Sequence, residues 1–105
     1  MGNKYRLEIY PKAEKDLEDI LYYVSQELKN VTAAQNLLVD FENAFTHVCM
    51  FPSSGSKIRN NLVKDKTLRK IIVKKYIAFY KTNDNEKTIS IVRVIYGKSN
   101  WETIL

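Results

Sequence analysis

The side chains able to do chemistry in this sequence are cations and phenols, and they crowd into its second half. Lys57, Arg59, Lys64, Arg69, Lys70, Lys74, Lys75, Tyr76, Tyr80, Arg93, Tyr96 and Lys98 follow one another there, with Trp101 just beyond. Cations hold phosphates while bases stack on aromatic rings, so such a set, interleaved on a sheet, has the makings of a nucleic-acid surface. Strands also favour tyrosine simply for packing, which gives Tyr76 and Tyr80 a structural reading as well. Arg69 and Lys70 are adjacent and point to opposite faces of a strand, so at least one is solvated. The usual catalytic signatures are missing: no glycine-rich phosphate loop, no metal-spaced His/Cys cluster and no nucleophile elbow. His47 is the sole histidine and sits beside an apolar stripe, where it reads as structural or surface and not catalytic. Cys49 is the sole cysteine, which leaves no internal disulfide and no thiolate zinc site, and it reads as packing. The sequence calls for no metal and no cofactor.

The net charge of +5 conceals an asymmetry. Residues 1–53 carry five Lys/Arg against eight Asp/Glu, and residues 54–105 carry twelve against four. The first half is therefore at −3 and the second at +8. An imbalance of this kind usually means a basic surface aimed at something acidic.

The elements that must carry these residues follow from periodicity. Tyr5 to Tyr10 alternates apolar and charged residues and reads as a strand ended by Pro11. Ala13, Leu17, Ile20, Leu21, Val24 and Leu28 form the stripe of a first amphipathic helix. Thr32 with Gln35 reads as a capping box opening a second helix, whose stripe runs from Ala34 through Leu37, Leu38, Phe41, Ala44 and Phe45 to Val48. Pro52 stops it, and the short joint at Asn30-Val31 folds the two helices into an antiparallel hairpin. Residues 53–66 are polar and read as a long irregular connection. Leu68–Val73, Tyr76–Thr82 and Thr88–Tyr96 are then three strands joined by tight turns, an antiparallel meander. The last strand is apolar on both sides of its alternation, the mark of a central strand covered twice; periodicity leaves open whether Arg93 or Tyr96 faces the helices. The tail could add one helical turn capped by Ser99. The order β-α-α-β-β-β specifies an α+β fold, one domain over residues 1–105, with the helical hairpin on one face of an antiparallel sheet. The 45% apolar content is enough for a core. No stretch is apolar for the ~20 residues a membrane span needs, and no apolar signal segment opens the chain, so a cytoplasmic protein is expected.

Four segments, Ala13–Ile20, Leu68–Val73, Tyr76–Tyr80 and Ile91–Lys98, resemble the RelE/ParE superfamily, the toxins of bacterial type II toxin–antitoxin pairs. They occur in order, at the right intervals and over nearly the whole chain. The ending Trp101-Glu102-Thr103-Ile104-Leu105 resembles the ParE-like, plasmid-stabilisation branch. The resemblance implies a protein that arrests bacterial growth and is restrained by a cognate antitoxin, a small, partly disordered, acidic or amphipathic chain. It also implies one of two targets. ParE-like members bind DNA gyrase. RelE-like members cut messenger RNA on the ribosome without metal, by attack of a 2′-hydroxyl on the adjacent phosphate, which needs a base, an acid and cations for the phosphate charge. For that second activity Tyr96, Arg69 and Lys70 match the family's pattern and, with the nearby Arg93 as a further phosphate ligand, form the candidate catalytic set. For target or nucleic-acid binding the candidates are members of the cation-and-phenol set above, Lys57, Arg59, Lys74, Lys75, Tyr76, Tyr80 and Lys98. Against the nuclease, Ile77 stands where ribonuclease members typically carry arginine, and Ile95 where the YoeB-like branch has histidine. A member that only binds antitoxin, with no activity of its own, is a third alternative.

Overall fold

The computed structural model describes residues 4–105, and among them five strands pair into one sheet. They are β1 (Arg6–Ile9), β2 (Ser56–Lys57), β3 (Arg69–Val73), β4 (Tyr76–Asn83) and β5 (Thr88–Tyr96), in the spatial order β1-β5-β4-β3-β2. The expected meander is present: β3, β4 and β5 run antiparallel, in register from Val73 opposite Tyr76 to Tyr76 opposite Tyr96. β1 differs from the antiparallel expectation. It lies parallel to β5, from Arg6 opposite Thr88 to Ile9 opposite Ile91. The two intervening helices return the chain to the same end of the sheet, and a parallel pair needs such a crossover.

Pro11 opens α1 (Pro11–Tyr22), its fixed φ suiting a first helical position where no N–H is needed. The expected stripe does pack inward through Ala13, Leu17, Ile20, Leu21 and Val24, but Leu28 is exposed. The reason is a widened π turn over Tyr23–Glu27, in which the Leu28 N–H reaches back five residues to the Tyr23 carbonyl at 3.0 Å. The added residue rotates the end of the helix away from the core. α2 (Val31–Met50) is capped by Asn30, whose side chain accepts from the Ala33 N–H at 2.9 Å. Thr32 is therefore already inside the helix, and the expected capping box is superseded by a better acceptor two residues earlier. Ser99 does not cap α3 (Trp101–Ile104); its hydroxyl donates to the Tyr96 carbonyl at 2.6 Å.

β5 is covered twice, as its pattern requires. Ile89, Ile91 and Val94 join Phe41, Phe45 and Val48 of α2 on one face. On the other, Ile95 and Phe79 meet Ile58, Val63 and Leu68, with Trp101 packed against Phe79 at 5.3 Å between ring centroids. The connection expected to be irregular thus supplies the second layer, and it contains β2.

Tyr80 pins that connection. Fully buried, its hydroxyl donates to the Pro52 carbonyl at 2.7 Å and accepts from the Gly55 N–H at 2.9 Å. Gly55 is required for the approach, since a Cβ there would lie 2.6 Å from two atoms of the Tyr80 ring and hydroxyl and 2.8 Å from the Lys70 carbonyl oxygen. Gly55→Ala is accordingly expected to lower stability by about 1–3 kcal/mol through overpacking. Tyr80→Phe, which orphans two backbone groups, should cost about 2–4 kcal/mol, both read from denaturant midpoints. Burial raises the Tyr80 phenol above its ordinary value of 10.0, so the fold favours the neutral form. That stabilisation is intact below pH 10 and is lost as pH climbs through the raised value. Alkaline thermal melts should therefore fall less steeply in Tyr80→Phe than in the parent.

Candidate functional site

The twelve-residue set legible in the sequence does not converge on one place. Lys57 and Arg59 lie exposed at and just beyond β2, level with the start of β3. Lys74 and Lys75 form the turn at the other end of β3. Tyr76, Tyr96 and Lys98 belong to that second group, since the Gly97 N–H donates to the Lys75 carbonyl at 2.8 Å and the Tyr76 and Tyr96 rings meet edge-on at 5.9 Å.

Three members are committed to the fold. Tyr80 is the buried pin just described. Arg69 crosses from β3 to the same connection, donating to the Gly55 carbonyl at 2.7 Å and the Ser53 carbonyl at 3.3 Å. Arg93 reaches around the edge of β5 to Asp16 of α1, with Nε donating to Oδ2 at 2.7 Å and Nη2 to Oδ1 at 3.1 Å. The same Oδ2 accepts from the Val94 N–H at 2.9 Å. The two side chains are only 20% and 15% exposed, so this is a bidentate, largely desolvated pair. Lys70 is also engaged, its Nζ resting 5.2 Å above the Trp101 ring.

Of the remaining members, Lys74, Lys75, Tyr76 and Tyr96 border a groove of about 1240 Å³ between the helical hairpin and the turn end of the sheet. Ile20, Tyr23, Leu37 and Val39 form its apolar floor and wall, Tyr76 and Tyr96 its sheet side, and Lys74 and Lys75 its rim. Tyr96 therefore lies on the helix side, which settles the orientation that periodicity left open. Tyr23 enters because the widened turn presents it, a contribution no motif announced. Burial, and secondarily the neighbouring Tyr96 and Tyr23 phenols, raise Tyr76 above its ordinary 10.0, so it is neutral at physiological pH. Tyr96 is 42% exposed. Lys74 approaches Asp40 of α2 only to 3.8 Å, a loose surface pair worth little. No group of three or more His, Cys, Asp or Glu able to hold a metal occurs among the described residues. Nor does any described helix have the length and apolarity to cross a membrane.

A family model described as the ParE toxin of the type II toxin–antitoxin system parDE matches residues 7–101. Among solved structures, a chain of the chromosomal ParDE system from P. aeruginosa superposes with a TM-score of 0.68 at 17% identity, over 90% of this chain and 98% of that one. The RelBE2 toxin–antitoxin complex from Mycobacterium tuberculosis gives 0.59 at 21%, over 89% and 98%. A double mutant of the E. coli toxin RelE in its free state gives 0.56 at 17%, over 94% and 90%. At these identities the likeness is one of fold. Among curated proteins, Asteroid homolog 1 of Schizosaccharomyces pombe is 30% identical over 92% of this chain, which spans only 18% of that protein's length.

If the Arg93–Asp16 pair is structural, Asp16→Asn should cost about 1.5–3 kcal/mol, the range for hydrogen bonds to charged groups. Adding Arg93→Met should restore part of the loss, because no unpaired charge is then left buried while the substituted amide can still accept from the Val94 N–H. Urea titrations of the two variants measure both.

Proposed function

Because this chain belongs to the ParE toxin family of type II toxin–antitoxin systems, we propose that it arrests bacterial growth by binding a protein target, DNA gyrase, and not by cutting messenger RNA. The observation that carries this reading is the occupation of Arg93 by Asp16. An RNA-cleaving site needs cations free to meet phosphate charge as it develops and groups placed to move protons. Here Arg93 is already neutralised and Arg69 is spent on two backbone carbonyls. Lys70 is turned to Trp101, so Arg69, Lys70 and Arg93 are each engaged away from Tyr96. A docking surface has no such requirement. Exposed Lys74, Lys75 and Lys98 around Tyr96, with Lys57 and Arg59 further along β3, supply charge and an aromatic anchor for a protein partner.

The groove has the character of a seat for the antitoxin. Its apolar floor suits one face of an amphipathic segment, and its lysine rim suits acidic flanks that fold on binding.

Growth inhibition at matched soluble expression separates the targets. Tyr96→Phe keeps the ring and removes one hydroxyl; as a proton relay that hydroxyl would be worth 10²–10⁴-fold in rate, as one contact among many about 0.5–1.5 kcal/mol. The folded variant is expected to remain toxic, as is the Asp16→Asn, Arg93→Met pair. Joint replacement of Lys57, Arg59, Lys74, Lys75 and Lys98 should relieve toxicity. Loss of toxicity in folded Tyr96→Phe, together with primer-extension stops inside translated codons, would instead make the protein a ribosomal nuclease.

For the antitoxin, association should slow as salt rises, because the Debye length contracts from ~10 Å at 0.1 M to ~3 Å at 1 M. Stopped-flow on-rates that ignore salt would remove the lysine rim from the encounter.

A further inference from the structure

The connection between β2 and β3 leaves and returns at one place, since Lys57 and Arg69 are paired across the two strands. Between them the chain makes a compact loop. Ile58, Val63 and Leu68, spaced five residues apart, are buried in the layer that covers Phe79 and Ile95. They pin the loop to the sheet face opposite the helices. Leu62 is turned the other way: it is 63% exposed, although its neighbour Val63 is 1% exposed. Single exposed leucines are ordinary on protein surfaces. This one is held in place by three bonds that converge on Asn60. Asn60 Oδ1 accepts from the Leu62 N–H at 2.8 Å, and the Asn60 carbonyl accepts from the Val63 N–H at 3.1 Å and from Lys66 Nζ at 3.0 Å. The charge around the leucine has one sign. Lys57, Arg59, Lys64 and Lys66 are all exposed on the loop, and Asp65 is the sole carboxylate in the sequence between Glu42 and Asp84. That carboxylate is turned back on the chain, its Oδ1 accepting from the Thr67 N–H at 2.9 Å and from the Thr67 hydroxyl.

We infer that Leu62 is the anchor by which this protein docks on its target, entering an apolar pocket of a protein surface whose rim carries carboxylates. The inference rests on the proposed arrest of growth through a protein target, and it names the surface that meets that target. A side chain already fixed by its turn loses little freedom on binding, which favours affinity. An apolar centre inside a charged rim matches the anatomy of a protein interface, and the cations speed encounter with an acidic partner. Residues 57–68 contain no aromatic ring on which a base could stack, which disfavours single-stranded nucleic acid. One leucine is also too little apolar surface to hold a lipid interface, where binding scales with buried apolar area. The groove offered to the antitoxin lies on the helix side, so target and antitoxin are assigned to opposite faces of the sheet.

The test compares the full chain with Leu62→Ser, Leu62→Met and Lys64→Glu, thermal melts confirming that each is folded. The Asn60 bond uses the Leu62 N–H, so both leucine substitutions leave the turn intact. Equilibrium binding to purified DNA gyrase is the first readout. Leu62→Ser is expected to weaken it about tenfold or more, the fold-change for losing one buried leucine. Leu62→Met, which keeps the apolar volume, should stay close to the parent, and Lys64→Glu should bind more weakly by setting a carboxylate against the acidic rim. Growth inhibition at matched soluble expression should follow the same order. Parental affinity in either Leu62→Ser or Lys64→Glu overturns the proposal. A parent that does not bind gyrase removes gyrase as the target, and growth inhibition then decides the loop. Loss of arrest in Leu62→Ser with retention in Leu62→Met sustains the anchor, and undiminished arrest by Leu62→Ser overturns it. Binding of the parent to a polyuridine oligonucleotide or to phosphatidylglycerol vesicles that Leu62→Ser abolishes overturns it too, by giving the loop to nucleic acid or to a membrane.

Discussion

One carboxylate finishes the central strand. β1 stops opposite Ile91, leaving the outer edge of β5 bare for its last residues, and the chain then has only Tyr10 before α1 begins. Asp16 arrives beside that bare edge in the second turn of the helix, where its Oδ2 takes both the Val94 N–H and the Arg93 Nε. Without it, a buried donor and a largely desolvated guanidinium would both lack partners. With it, α1 is held across β5, its apolar stripe is pressed into the helix-side core, and the widened turn after Tyr22 falls where the groove opens. The position of the groove is thus downstream of a hydrogen bond at the opposite end of the helix.

The arginines and lysines have divided the work. Arg69 and Arg93 tie elements together, and Arg6 bonds the Thr88 hydroxyl at 3.2 Å. Arg59 is exposed. A planar fork with several donors is suited to stitching carbonyls and carboxylates, whereas a lysine is a flexible point charge. The solvated charge of the basic half is accordingly mostly lysine, which explains why counting cations in the sequence overstates how many are available to a ligand.

The sequence carried the framework well because periodicity records burial. The two helical stripes apart from Leu28 and Leu38, which are exposed, the three strands of the meander and the double burial of β5 were all legible, and so was the family. What escaped was backbone geometry and pairing across long separations. Lys29, Lys74 and Lys87 adopt φ values of 53°, 55° and 52°, a region that favours glycine or asparagine, so the turns they make carry no residue signal. The Asn30 cap lies two residues ahead of the Thr32 that the capping-box pattern favours, and the widened turn at Tyr23 has no local signature. Asp16 and Arg93 are 77 residues apart, and Tyr80 and Gly55 are 25 apart. Nothing local distinguishes a cation that will be consumed internally from one that will face a ligand, so the sequence gathers more cations into one candidate set than the fold brings together.

The basic half of the chain also changes meaning once it is folded. Twelve cations in 52 residues suggest a continuous positive face, yet the sheet separates Lys57 and Arg59 from the Lys74, Lys75 and Lys98 group by the length of β3, about 15 Å at the rise of a strand. That exceeds the screening length at physiological salt, so the two groups act as separate patches. Between them lies exposed, apolar Ile72, and beside the second lies the apolar groove. Positive patches alternating with apolar surface match the anatomy of a protein-binding surface, where anchors sit at the centre and charge sits at the rim. A track for a phosphate backbone would need cations at nearly every step. The separated patches accord with the protein target proposed above better than with a phosphate track.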